Sequence, residues 1–283
     1  MLGEPGKMKK ILITGKNSYI GTSFERWFDG SENYLIHTLD VRSDVWKNQT
    51  FSSYDAIFHV AGIAHIKETS KNQDLYYKVN RDLTYDIASK AKNDGVSQFI
   101  FLSSMSVYGL DRGEITKTTP LQPTSAYGKS KLEAEGLINS LKSESFKVAI
   151  VRPPMVYGKD CRGNYTALAK LAVKTPIFPS IENQRSMIYI DHLSEFIKQL
   201  IDNQCSGLYL PQNADYVKTI EMVRLIAESH GKNILMTTLF NPLIKLFNIK
   251  IVNKVFGDLI YDQKIANNIG IISFEESIKR TEN

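Results

Sequence analysis

Apolar and polar positions along the first 160 residues follow a repeating scheme: short apolar runs closed by turn residues, separated by stretches with helical spacing. Lys9 to Thr14 is such a run and predicts a buried parallel strand. The turn Gly15-Lys16-Asn17-Ser18-Tyr19-Ile20-Gly21 follows. After it, Phe24, Trp27 and Phe28 recur at helical spacing over Thr22 to Asp29. Further strands are predicted at Tyr34 to Leu39, Ala56 to Val60, Gln98 to Leu102 and Lys147 to Val151, the last stopped by Pro153-Pro154. Helical spacing covers Leu75 to Lys92 and the stretch from Ser125 to about Leu141. Strands alternating with helices at this interval predict an α/β fold, a parallel sheet covered on both faces.

The second half is less regular. Helices are predicted at Asn164 to Val173, at His192 to Asp202 with Asp191 as N-cap, and at Thr219 to His230 with Gly231 ending it. Strands are predicted at Arg185 to Ile190 and Gly207 to Leu210, the latter rejoining the sheet. Phe240 to Phe256 is rich in Leu, Ile, Phe and Lys. Interruptions at Pro242, Asn248 and Gly257 favour a packed lobe there over a membrane-surface helix. Residues 8–158 are expected to form the main sheet domain. Residues 159–283 should mainly form a second, smaller lobe, with about 185–212 returning to the main domain. Residues 1–7 have no apolar period and read as an appended remnant ahead of a start at Met8.

Composition adds exclusions. The 283 residues are 42% hydrophobic and 23% charged, as in ordinary globular proteins, and no apolar run approaches the ~20 residues that cross a bilayer. A cytoplasmic protein without a membrane partner is expected. The net charge of +5 is spread along the chain, which argues against nucleic acid and suits a small anionic ligand. Cys161 and Cys205 form neither a CxxC pair nor a disulfide framework, and no metal is expected.

Three stretches carry chemistry. Gly15, Ser18 and Gly21 occupy the positions of a Gly-x-x-Gly-x-x-Gly turn between strand and helix, a context that sets backbone N–H groups against a pyrophosphate. Ser18 departs from glycine. Its side chain limits backbone approach while its hydroxyl offers a donor. Asp40, about twenty residues on, is placed to accept from an adenosine ribose and to repel a 2′-phosphate, which points to NAD. Arg42 would instead greet that phosphate, so NADP stays open. Asp44 and Val45 are placed either to contact the adenine or to serve as ordinary surface and core residues. Finally, Tyr127 and Lys131 stand four apart on one helix face, where an ammonium beside a phenol would lower its pKa toward that of a usable base.

These residues resemble the extended short-chain dehydrogenase/reductase superfamily, in its nucleotide-sugar epimerase/dehydratase branch. The resemblance runs through Thr14-Gly15 to Gly21, Asp40, His59-Val60-Ala61-Gly62, Val79-Asn80, Leu102-Ser103-Ser104, Val107-Tyr108-Gly109, Tyr127 to Lys131, and Arg152-Pro153-Pro154 with Val156-Tyr157-Gly158. A weaker likeness continues through Arg185 to Asp191 and Ser273 to Lys279. It implies a Rossmann-type doubly wound sheet with a smaller C-terminal substrate-binding lobe. It implies cofactor contacts from the turn, including Tyr19 and Ile20, and from Asp40, Ala61, Tyr127 and Lys131. Asn80 is implied as a structural or cofactor-side residue. Ser104, Tyr127 and Lys131 match the catalytic set: Ser104 holds the reacting oxygen, Tyr127 moves its proton, and Lys131 holds the nicotinamide ribose. Arg185 resembles an arginine that meets the substrate diphosphate, and Asn164 lies near the loop that binds uridine diphosphate.

The family's 4,6-dehydratases carry an acidic pair after the catalytic hydroxyl, where this chain has Met105 and Ser106. Its UDP-glucuronate decarboxylases tend to have Glu at the position of Ser106. The resemblance then implies oxidation or reduction at C4 of a UDP-hexose, by a 4-epimerase or 4-ketoreductase on an N-acetylated or 6-deoxy sugar for surface polysaccharides. Val252 to Asp262 is loosely similar to that group. The resemblance also implies a homodimer, commonly through the helix bearing Tyr127. A non-sugar carbonyl reductase and a non-catalytic NAD(P)-sensing protein are the alternatives.

Overall fold

The computed structural model describes residues 8–64, 66, 68–239, 241 and 250–283. The Phe240 to Phe256 expectation therefore falls mostly outside the described residues, as does that for residues 1–7.

One compact unit comprises residues 8–107, 123–152 and 194–209. Its elements are β1 (Lys9–Thr14), α1 (Tyr19–Trp27), β2 (Tyr34–Leu39), β3 (Ala56–His59), α2 (Gln73–Tyr77), α3 (Leu83–Asn93), β4 (Gln98–Leu102), α4 (Ala126–Asn139), β5 (Lys147–Val151) and β6 (Gly207–Tyr209). The six strands form one sheet in the order β6-β5-β4-β3-β1-β2, every neighbouring pair parallel. β3 and β4 are buried along their whole length, which explains their unbroken apolar reading. The chain leaves β1 toward β2 on one side and β3 on the other, so the strand order reverses at β1. In open parallel sheets the crevice beyond the carboxyl ends at such a reversal is where ligands bind. The turn of Gly15, then Asp40, Ala61 and Ser104, all follow the carboxyl ends of their strands.

Two boundaries differ from the sequence reading. α1 starts at Tyr19 rather than Thr22, because Ser18 is its N-cap and its hydroxyl accepts from the Gly21 N–H at 3.2 Å. The helix expected from Leu75 is interrupted by a π turn at Lys78–Asp82 between α2 and α3, with Asn80 buried inside it.

The second unit comprises residues 108–122, 153–193 and 210–283. Its strands are three residues long and pair only in twos: Gly113–Ile115 with Leu259–Tyr261, Met155–Tyr157 with Met187–Tyr189, Ile177–Pro179 with Leu235–Thr237, and Pro211–Asn213 with Asn267–Ile269. Helices Asn164–Lys174 and Thr219–Ser229 lie where spacing predicts, and Gly231 turns the chain at φ +67°. The helix Ile190–Asp202 begins one residue before Asp191, which thus sits in the first turn and is not the N-cap. Among the described residues no helix is long and apolar enough to cross a membrane.

Candidate active site

The dinucleotide turn is built by close approach. Gly15 has φ +118°, and a methyl group there would lie 2.8 Å from the Ala61 backbone nitrogen. Only glycine lets the β1 end pass the β3 end this tightly. Gly15 and Lys16 donate their N–H groups to Leu39 O at 3.0 and 3.2 Å, tying the turn to the end of β2 just before Asp40. A flat, glycine-lined approach opening onto a helix N-terminus suits a pyrophosphate. Tyr19 and Ile20 form the first turn of α1.

Asp40 and Arg42, alternatives in the sequence, are partners in the structure. The Arg42 Nε donates to both carboxylate oxygens at 2.9 and 3.0 Å, and its terminal nitrogen closes the fork. The guanidinium holds the Asp40 carboxyl well below the usual carboxylate range. Both side chains face solvent, so the pair leaves a positive and a negative group side by side just beyond the carboxyl end of β2. Asp44 and Val45 open a short 3-10 turn, Asp44–Asn48. Val45 is exposed, and the buried member of that turn is Trp46.

Ser104 follows β4, and Tyr127 and Lys131 lie on the first turns of α4. Ser125 caps α4, its hydroxyl accepting from Gly128 at 3.1 Å, and Glu68 accepts from the Ala126 N–H at 2.9 Å. Gly128 allows the first turn to press on the loop after Ser104: a methyl group there would stand 2.7 Å from Ser106 O. The Ser104 hydroxyl lies close enough to the Tyr127 phenol to draw its pKa down. Ser106 orients that hydroxyl, accepting from it at 3.1 Å and donating its own N–H to it at 3.1 Å.

Lys131 is buried and donates to Leu102 O at 2.8 Å, with its ammonium 4.6 Å from the Phe101 ring centre. Burial pulls its pKa down to about 7, against an opposing pull from Glu135. The phenol does not show the depression expected from a neighbouring ammonium. Burial raises the Tyr127 pKa, although part of the residue still meets solvent, and the opposing effect comes from Ser104.

Glu135 was not singled out by sequence. It stands one turn beyond Lys131, accepts from the Ser103 hydroxyl, and meets Arg152 at 3.0 Å (Nε) and 2.5 Å (the terminal nitrogen). All three are buried. Lys131 and Glu135 thereby stitch α4 to consecutive residues Leu102 and Ser103, immediately before Ser104. The signal was available: Glu at the next i+4 step of a face already carrying Tyr127 and Lys131.

Asn80 does not point into open space. It accepts from Ile63 N at 2.8 Å and donates to Ile63 O and the Ser130 hydroxyl at 3.1 Å each. Ser130 in turn donates to Tyr127 O at 2.9 Å. Asn80 thus ties the chain beyond Ala61 to the helix of Tyr127, which fits the structural alternative. Deeper, His59 lies between Thr14 (2.6 Å) and Thr84 (3.0 Å), and burial brings its pKa down to about 3.

In the second unit, Arg185 donates to Gly257 O at 2.7 Å, and its pKa is lowered by burial against the pull of Asp258 and Asp111. Asn164 is exposed at the start of its helix, after Gly163. Among the described residues no hydrogen bond or ion pair joins the two.

Comparison with known proteins agrees with this architecture. A family model described as the NAD dependent epimerase/dehydratase family matches residues 11–209. A UDP-glucose 4-epimerase of Vibrio cholerae is 28% identical over 90% of this chain and 84% of its own. An N-acetyl-alpha-D-glucosaminyl-diphospho-ditrans,octacis-undecaprenol 4-epimerase of Escherichia coli O157:H7 is 31% identical over 77% of this chain and 70% of its own. In fold, the UDP-glucuronic acid 4-epimerase of Bacillus cereus superposes with a TM-score of 0.73 at 18% identity, covering 96% of this chain and 97% of that one. With a nicotinamide-dinucleotide turn, a reversing parallel sheet and a Ser-Tyr-Lys cluster in place, this chain belongs to the NAD dependent epimerase/dehydratase family of extended short-chain dehydrogenases/reductases.

Proposed function

We propose that the protein transfers a hydride at C4 of a hexose carried on a diphosphate, as a 4-epimerase or 4-ketoreductase, with UDP as the carrier. The observation that carries this reading is Tyr127 and buried Lys131 one turn apart on α4, tied by the Lys131 bond to Leu102 O to the strand end that leads into Ser104, with Met105 and Ser106 in place of the acid pair a dehydratase needs. The nicotinamide supplies the two-electron acceptor and donor. Ser104 holds the C4 oxygen, and Tyr127 takes its proton as the C4 hydride leaves or returns it as the hydride arrives. Lys131, held by Leu102 O, holds the nicotinamide ribose. Glycine-turn and α1 residues Gly15, Ser18, Tyr19, Ile20 and Gly21 hold the pyrophosphate, with Asp40 or Arg42 on the ribose and Ala61 beside the turn. Arg185 and Asn164 meet the substrate diphosphate and nucleotide.

Both relatives named above are 4-epimerases, which favours epimerisation over ketoreduction. One of them acts on a sugar linked to a polyprenyl diphosphate, so a lipid carrier is a second reading for the diphosphate's other end. Pairing of two copies through α4 is part of the proposal. Leu75, Tyr85 and Leu137, exposed on α2, α3 and α4, suit it.

The test is an assay of purified protein with UDP-GlcNAc, with its polyprenyl-diphosphate counterpart, and with a UDP-4-keto-6-deoxy-N-acetylhexosamine plus NADH or NADPH. Interconversion of gluco and galacto forms without net cofactor consumption is expected of an epimerase. Stoichiometric loss of reduced cofactor would instead identify the ketoreductase. Inactivity on all three would overturn the reading.

A further inference from the structure

In the second unit the ribbon of Ile177–Pro179 and Leu235–Thr237 has apolar residues on both faces. Alternation along a strand sends successive side chains to opposite sides. Phe178 points inward, buried, its ring 5.6 Å from Phe256. Ile177 and Leu235, paired in register, take the other side, where a solvent-facing strand should carry polar residues, and Leu235 is 63% exposed. Leu239 beyond the strand is 83% exposed, and Leu171 on the helix leading into the ribbon is exposed too. These positions adjoin one another through the chain's own bonds. The Leu235 N–H donates to Pro176 O at 2.9 Å, the Thr175 N–H to Leu171 O at 2.9 Å, and Lys232 Nζ to Val173 O at 2.7 Å.

The charge around this face is one-sided. Lys170, Lys174 and Lys232 are exposed at its rim, and Lys254 is exposed on the helix Lys250–Phe256 that packs on the ribbon through Phe256. Residues 161–181 and 229–239 together contain four lysines and arginines and no aspartate or glutamate, and Glu182 and Glu228 just outside them are in ion pairs with Lys218 and Arg224. Glu282, which reaches the same helix, is turned inward, accepting from Tyr165 at 2.5 Å and meeting His230 at 2.7 Å. Exposed aliphatic side chains rimmed by Lys170, Lys174, Lys232 and Lys254 match the surface of an anionic bilayer: the lysines meet headgroups and the leucines enter the headgroup–acyl boundary.

We propose that this lysine-rimmed ribbon seats the protein peripherally on an anionic lipid surface. The proposal is independent of the C4 chemistry and would hold with either carrier. A bilayer fits better than an acidic protein because the face offers leucines on a short open ribbon rather than a groove.

The test is co-sedimentation of the full chain with vesicles of phosphatidylcholine alone and of phosphatidylcholine with phosphatidylglycerol. Binding to the anionic vesicles only, weakened by high salt, is expected. The K170E/K174E variant and, separately, L235S/L239S should each lower it roughly tenfold or more while NAD binding and the circular dichroism spectrum stay unchanged. No binding, equal binding to both vesicle types, or binding unaffected by both variants would overturn the proposal. So would a concentration-dependent dimer in light scattering that L235S/L239S abolishes, since a second copy would then be the occupant.

Discussion

The two units of this chain use different means to hold side chains in place. In the first, strands of three to six residues join one continuous six-stranded sheet, and every proposed catalytic or dinucleotide residue follows a carboxyl end or rides on a helix packed against the sheet. In the second, each strand among the described residues is three residues long and pairs with one other strand. Position there is kept by side-chain bonds instead: Asn183 to Thr219 at 2.9 Å, Ser186 to Gln212, Asn213 to the Tyr157 hydroxyl at 3.0 Å, and Tyr157 with Ser277 at 2.7 Å. A ladder of backbone bonds tolerates many side chains, whereas a side-chain network depends on particular ones. The first arrangement suits chemistry common to a family, and the second suits recognition that differs among its members.

That contrast can be sharpened by substitution, beginning with the largest effect. Tyr127→Phe should cut turnover roughly 10²–10⁴-fold while cofactor binding, followed by nucleotide fluorescence, persists, because the sheet holds the cofactor and the phenol only moves the proton. Glu135→Gln should cost about 3–5 kcal/mol in denaturant unfolding, since it leaves the buried Arg152 guanidinium without its countercharge. An E135M/R152M double variant should regain most of that stability and still turn over slowly, if the buried pair positions Ser104 rather than merely supporting the fold.

Lys131 offers a test of opposite sign. Its folded-state pKa of about 7 lies below the ordinary 10.5, so between those values the unfolded chain holds the proton more tightly than the folded one. Its contribution to stability therefore rises as pH climbs from about 7 to 10.5, and the cost of burying the charge is fully present below 7. Lys131→Met should lose turnover yet unfold at a higher temperature than the parent at pH 6, by the equivalent of ~1–2 kcal/mol, with the gain shrinking toward pH 10. A variant less stable at both pH values would show that the bond to Leu102 outweighs the buried charge.

Smaller effects belong to the edges of the two units. Arg185→Ala should raise KM for the sugar diphosphate by roughly 10–100-fold with little change in kcat, the mark of a group that binds ground and transition states alike. Arg42→Ala should shift preference from NADPH toward NADH by roughly tenfold, because it removes a 2′-phosphate partner and leaves Asp40 unpaired. Unchanged discrimination would mean that the ribose lies elsewhere.

The sequence was most informative where backbone geometry is repetitive. The ends of β1, β2, β4 and β5 coincide with the predicted runs; β4 is buried throughout and β1 and β5 over most of their length, which demands apolar residues, while the edge strand β2 buries only Leu39. Ser18 looked like an imperfect glycine. Its N-cap bond to Gly21 depends on where the helix begins, which periodicity misplaced by three residues. The π turn at Lys78–Asp82 was invisible because one extra residue per turn barely disturbs an apolar pattern, although it buries Asn80 against Ile63 and Ser130. The Ser103–Glu135–Arg152 cluster joins three elements distant in sequence: the i+4 step from Lys131 marks Glu135, but nothing local marks Ser103 and Arg152 as its partners. In the second unit, three-residue strands are too short to show a period, and the bonds that define them have no local signature.

The most direct test of the central claim is turnover in D₂O followed by NMR of the sugar product. Hydride transfer at C4, by epimerisation or by ketoreduction, delivers hydrogen from the nicotinamide, so C4 should carry protium and no ring carbon should gain deuterium. Deuterium at C4 or at a neighbouring carbon would mean that a C–H bond is made by a solvent-exchanging acid, and would contradict the assignment of Ser104, Tyr127 and Lys131 to hydride chemistry.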